Sequence, residues 1–147
     1  MREILFRGKR IDNGKWVYGF YDGQQIRTYY DRNYKMLTTI DERTHAIIHS
    51  FHRVIAGTVG EYTGLTDKNG KRIFEGDILE FLDDDGEKSL YIVRWSDDYS
   101  GWATKSTNMK CDDETMDCWE HFRECHEVVG NIYENDNISE LRGGYEA

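Results

Sequence analysis

The sequence predicts a mainly β protein, and three observations carry that reading. Aromatic residues make up 14% of the 147 positions, with ten Tyr, six Phe and four Trp, and such rings favour pleated sheet over helix. Apolar and polar residues alternate over short runs, most plainly at Tyr91, Val93 and Trp95, which is the period of a half-buried strand. The runs are separated by Asn-Gly, Asp-Gly and Gly-Asp steps, and with fourteen Gly and no Pro the reversals fall to Gly, Asn and Asp. Short strands at regular turn spacing make a meander that closes into a small barrel or sandwich.

Taken in order, residues 4–6 and 16–21 read as two strands around the turn Asp12-Asn13-Gly14. Trp16, Tyr18 and Phe20 share one parity, so one face of the second strand is aromatic. Ile26, Thr28 and Tyr30 alternate as a third strand, ended by a polar turn at 31–33. Residues 46–60 read as two strands with a break at 50–52. Asn69-Gly70 suits a two-residue type I′ hairpin, which needs φ > 0 at both central positions. Strands follow at 71–74 and 77–81, parted by Glu75-Gly76-Asp77. The acidic turn 83–86 leads into 89–96, and the loop 97–101 returns through 102–107.

From Met116 the period changes. Cys118, Trp119, Phe122, Cys125 and Val129 gather on one helical face, and Asp112, Asp113 and Glu114 precede them where the positive end of a helix favours acids. One helix over about 114–124 is therefore expected. Residues 127–133 return to strand, and a helical turn at 138–141 precedes a Gly143-Gly144 tail. The chain reads as a single domain over 1–147; the alternative is an N-terminal strand region 1–55 packed on a barrel 56–135.

Net charge is −9, from 28 acidic against 19 basic residues. Duplex binders gain affinity by replacing counterions with Lys and Arg, so this balance argues against a general nucleic-acid binder. Arg7, Lys9 and Arg10 nevertheless crowd the start of the chain and leave a nucleic-acid contact open there. The acidic stretches 83–87 and 112–120 read as solvated surface, or as a decoy imitating phosphate charge before a DNA-binding protein. Basic residues early, acidic residues later and no proline to guard strand edges favour a homo-oligomer. No run approaches the ~18 apolar residues of a membrane span, and three cysteines fit a reducing cytoplasm.

Cys118, His121, Cys125 and His126 have the donor types for zinc. Cys111, Cys118 and Cys125, however, align with Trp119 and Phe122 on the apolar stripe, so buried packing is expected and neither metal nor cofactor is assigned. His45, His49 and His52 sit in a strand context that does not chelate. The turn 83–87 lacks EF-hand spacing. No nucleophile elbow or phosphate-cradling glycine pattern occurs, and no catalytic residue is assigned. Trp95, Tyr99 and Trp102 surround one hairpin loop, where rings stack unpaired bases or anchor a partner; Trp95 and Trp102 also suit a cross-strand core pair.

Three blocks carry a family resemblance: FRGKR at 6–10, EYTGLTDKNGKRIFEGDILEF at 61–81 and EVVGNIYEN at 127–135. In that order they resemble the YopX-like family of phage and prophage proteins. The signature positions are Tyr62, Thr63, Gly64, Asp67, Asn69, Gly70, Gly76, Asp77, Gly130 and Asn131. The resemblance implies a β-rich fold around a small SH3-like barrel, an origin in a phage or integrated element, and architectural glycines. It supplies no catalytic set. The expected function is a non-enzymatic binding module for a host or phage protein. Nucleic-acid contact through the basic N-terminal strands, an acidic DNA-mimic decoy and a small metal-dependent enzyme are the alternatives.

Overall fold

The structure, a computed structural model, describes residues 3–39, 48–106, 114–116, 119 and 123–134. The class is mainly β, and the chain divides into two units, Met1–Gly64 and Leu65–Ala147.

The first unit contains β1 (Phe6–Lys9), β2 (Trp16–Tyr21), β3 (Gln25–Tyr30), β4 (Met36–Leu37) and β5 (Ile48–Arg53), and β6 (Gly60–Thr66) runs out of it. β1 pairs antiparallel with β2 and with the start of β6. β3 carries β5 along its length, from Gln25↔Arg53 to Tyr30↔Ile48, and takes β2 and then β4 on its other edge. After β5 the chain turns back onto β1: Val54 bridges Arg10, and the Ile55 N–H donates to the Lys9 carbonyl at 2.8 Å. The sheet thus curls until its ends meet. Ile26 and Val54 fill the inside of the curl, and Gly8 leaves them room, since a Cβ there would stand 3.0 Å from the Val54 Cβ. The break expected at 50–52 does not occur. Tertiary pairing with β3, residue for residue, holds Ile48–Arg53 as one strand despite its polar Ser50 and His52.

The second unit contains β7 (Arg72–Phe74), β8 (Asp77–Leu82), β9 (Lys88–Ser96), β10 (Gly101–Ser106), β11 (Glu114–Thr115) and β12 (His126–Asn131). Five of these form a sheet in the order β11-β10-β9-β8-β12. A meander whose first strand also takes the last, after a 3₁₀ turn at Arg123–Cys125, is compatible with an SH3-like barrel. Its core is Ile73, Leu79, Val93, Met116, Trp119 and Val128, with Leu65 and Trp102 packed against it. The Trp119 indole N–H, which burial would otherwise leave unpaired, donates to the Thr66 carbonyl at 2.7 Å.

The helix expected over about 114–124 is corrected at both ends. Glu114 and Thr115 pair with Thr104 and Ala103 as a strand, because the open edge of β10 satisfies their backbone groups. Arg123–Cys125 is a single 3₁₀ turn, and Cys125 is exposed rather than buried on an apolar stripe. Trp119 is helical; Cys111, Cys118, His121 and Phe122 lie outside the described residues.

The Asn69-Gly70 turn is also corrected. Gly70 has φ +80°, but Asn69 is not among the positive-φ residues. The Gly70 N–H donates to the Asp67 carbonyl, and the Asp67 N–H to that of Lys71, which makes a three-residue loop with Gly at the left-handed position. Asp67 Oδ1 closes it by accepting the N–H groups of Asn69 and Lys71, each at 2.9 Å. The same construction recurs at 31–35 and 83–87, where Asp31 and Asp83 each accept two backbone N–H groups. An aspartate opening the loop outbids a type I′ turn, because it satisfies two donors that the tighter turn would leave to water.

Candidate functional site

The register of the second sheet assembles an aromatic pocket. His126 on β12 stands directly across from Phe81 on β8, and Tyr91 lies two residues from Val93 on the same side of β9. The His126 ring lies 5.0 Å from Phe81, 6.4 Å from Tyr91 and 4.6 Å from Trp119, centroid to centroid. Met116, Thr104 and Thr115 complete the described wall of a cavity of about 240 Å³. β11 holds Thr115 there, and the Met116 N–H is fixed to the Trp102 carbonyl at 3.1 Å. The rings of Phe81, Tyr91 and Trp119, with His126 among them, line a partly open cavity suited to a flat or cationic group. The residues of the described wall include a histidine, a tyrosine and two threonines, and no aspartate or glutamate.

Trp95 and Trp102 are direct cross-strand partners with rings 5.4 Å apart at 87°. Trp102 packs on the core while Trp95 remains 47% exposed, so the pair serves as both core edge and surface. Tyr99, 52% exposed, sits in the adjoining loop. Four residues of strand, roughly 13 Å, separate Trp95 from Tyr91 along β9.

The basic trio is not gathered into one surface. Arg7 is buried, with its guanidinium 5.1 Å above the Trp16 ring. Lys9 is half-buried, and its N–H donates to the Thr58 hydroxyl. Arg10 forks onto Asp12, Nε to Oδ1 at 2.8 Å and Nη2 to Oδ2 at 2.6 Å. That hydrogen-bonded pair lowers the Asp12 carboxyl pKa and raises that of Arg10.

Among the signature positions, Tyr62, Thr63, Asp67 and Asp77 are buried. Asp77 Oδ2 accepts the Phe74 N–H at 2.7 Å and so closes the turn between β7 and β8. Gly64, Gly70 and Gly76 have positive φ. Gly130 lies at the register shift of β12, and Asn131 Oδ1 accepts the N–H groups of Tyr133 and Glu134. These positions build turns and strand ends. Among the described residues no group of three His, Cys, Asp or Glu is placed to hold a metal ion, and no helix is long and apolar enough to cross a membrane.

The pocket walls Phe81, Tyr91 and Trp119 were not singled out as a site by the sequence. Strand parity marks Phe81 and Tyr91 as inward-facing and helical spacing marks Trp119, but nothing local marks the meeting of β8 with β12.

A family model described as YopX protein matches residues 5–139. No curated protein matches the chain. Among solved structures, the crystal structure of protein EF1440 from Enterococcus faecalis is similar at a TM-score of 0.48 and 19% identity, covering 92% of this chain and 96% of that one.

Proposed function

The chain belongs to the YopX protein family, and we propose that it acts as a non-enzymatic binding module, taking a cationic side chain of a host or phage protein into the aromatic pocket of its second unit. The carrying observation is the ring cluster of Phe81, Tyr91, Trp119 and His126 around one cavity. Ring faces attract Lys, Arg and alkylammonium groups, most strongly where water is excluded. The surrounding charge supports the same partner: from Leu65 onward there are 21 acidic against nine basic residues, a formal −12. Such a field draws basic surfaces and repels acidic ones. A cavity of about 240 Å³ is below the ~300–1,000 Å³ of sites for drug-sized ligands, which suits one side chain. A DNA-binding protein is a partner of this kind, and the unit would then serve as an acidic decoy. The phage or prophage setting belongs to this reading through the family resemblance, and the cytoplasmic location through the three cysteines.

The test is an NMR titration with end-blocked Gly-Lys-Gly, Gly-Arg-Gly and trimethyl-lysine peptides, with Gly-Glu-Gly as control. Ring resonances of Phe81, Tyr91 and His126 should shift with the cationic peptides only, and Tyr91→Ala should abolish the response. Absence of shifts at millimolar peptide would sink the proposal. Mass spectrometry should recover the peptides unchanged; a modified peptide would make the protein an enzyme.

A further inference from the structure

The whole-chain charge conceals a basic first unit. Up to Gly64 there are ten Lys and Arg against seven Asp and Glu, a formal +3. On that unit β3 turns Ile26 and Thr28 inward, 0% and 4% exposed, so Arg27 and Tyr29 face outward. Register places Phe51 and His49 of β5 beside them and Phe20 of β2 on the other side. The rings run without a gap: Phe20 to Tyr29 at 5.8 Å, Tyr29 to His49 at 6.0 Å and His49 to Phe51 at 4.8 Å. The Arg27 guanidinium lies 5.0 Å over the Phe51 ring, and its Nε is 3.7 Å from Asp22. Arg53, exposed and on the same side as Phe51, extends the row. Phe51 is 45% exposed on this face.

We infer that this outer face of β2, β3 and β5 binds single-stranded nucleic acid, bases on the ring row and phosphates at Arg27 and Arg53. A sheet face carrying consecutive rings offers stacking that any unpaired base accepts, whatever its sequence. A duplex hides its base faces and is held by many phosphate contacts, commonly six to ten for a strong binder; two arginines do not supply them. Arginine beside aromatic rings, rather than lysine, suits this use because its planar group stacks as well as pairs. The face lies in the first unit, so its binding is read independently of the aromatic pocket.

The experiment is fluorescence anisotropy of the full chain with labelled single-stranded dT and rU 12-mers and a duplex 12-mer, at ~50 and ~150 mM salt. Saturable binding of micromolar order is expected for the single strands, at least tenfold tighter than for the duplex. Phe51→Ala and Tyr29→Ala should each weaken it about tenfold, as loss of one stacking ring does, and Phe51→Tyr should restore it. Arg53→Ala should lower the salt slope by about 0.7. Ile11→Ala, exposed in the first turn, should bind as the parent does, and circular dichroism should confirm that every variant folds. Equal affinity for duplex and single strand, or retained affinity in both ring variants, would overturn the inference. Lack of oligonucleotide binding, with a mass in light scattering that falls on Phe51→Ala, would assign the face to self-association instead.

Discussion

Asp67 and Val128, 61 residues apart, are joined by a hydrogen bond of 3.0 Å from the Val128 N–H to Asp67 Oδ2. The other oxygen of the same buried carboxylate already holds the N–H groups of Asn69 and Lys71. One side chain therefore closes a hairpin turn and fastens it to β12. The aspartates of the two sister turns, Asp31 and Asp83, accept comparable local bonds from exposed ground.

Replacing Asp67 by Ala leaves three backbone donors to find water, one of them at buried Val128. A cost of about 2–4 kcal/mol is expected, while Asp83→Ala should stay within about 1 kcal/mol. Urea denaturation of the two variants checks the difference. A loss below that of Asp83→Ala would show that the carboxylate does not tie the turn to β12.

Two glycines separate backbone conformation from space. Gly70 has φ +80° with nothing within 4 Å of an added Cβ, so Gly70→Val should cost only the strain of a β-branched residue there, about 1–2 kcal/mol. At Gly19 an added Cβ would lie 2.1 Å from the Arg27 carbonyl oxygen, where β2 and β3 must part to admit it. Gly19→Ala should cost at least ~3 kcal/mol, with loss of amide protection along β3. Equal midpoints for the two variants would contradict the close approach.

Much of this fold was legible because the informative patterns are local. Alternation at Tyr91, Val93 and Trp95 gave β9, and its cross-strand meeting with Trp102 followed from the length of one loop. What was hidden depends on distant partners. Nothing near Glu114 announces that β10 has an open edge for it, and an acidic lead-in before an apolar stripe reads as a helix start. The pocket was hidden for the same reason, since His126 acquires its aromatic surroundings only when β12 pairs with β8, bringing it to Phe81 across 44 intervening positions. The Asn-Gly turn was misread more instructively: the dipeptide was visible, but the aspartate two residues earlier decided the geometry. The basic trio failed as a surface because Arg7 and Arg10 found partners within a few ångströms, Trp16 and Asp12.

Cys125, exposed in its 3₁₀ turn, should react rapidly with a thiol reagent such as dithionitrobenzoate in the folded protein. Cys125→Ser should remove a fast phase of one thiol per chain and leave the denaturation midpoint within about 0.5 kcal/mol of the parent. Retention of the full fast phase in the variant would place Cys125 in a protected site.

The exposed carboxylates of Asp12 and Asp22 titrate below the ordinary range for different reasons, and substitution distinguishes them. For Asp12 the leading cause is the side-chain hydrogen bond from Arg10. For Asp22 the leading causes are the backbone N–H groups of Gln25 and Gln24, with the charge of Arg27 a smaller contribution. A folded pKa below the unfolded one means that each group adds stability above the unfolded value, and that this stability is lost as pH falls through the folded one. Both side chains are open to solvent, so the effect on the global midpoint is small and the titration itself is the better measurement. Carboxyl-carbon NMR from pH 2 to 6 should show both midpoints lowered. Arg10→Gln should return Asp12 toward its ordinary value and leave Asp22 in place. Arg27→Gln should move Asp22 only slightly, because its two backbone donors remain. A full return of Asp22 in that variant would mean that Arg27 is committed to the ion pair rather than to the Phe51 ring, and the outer face of β3 would lose the cation that its nucleic-acid reading requires.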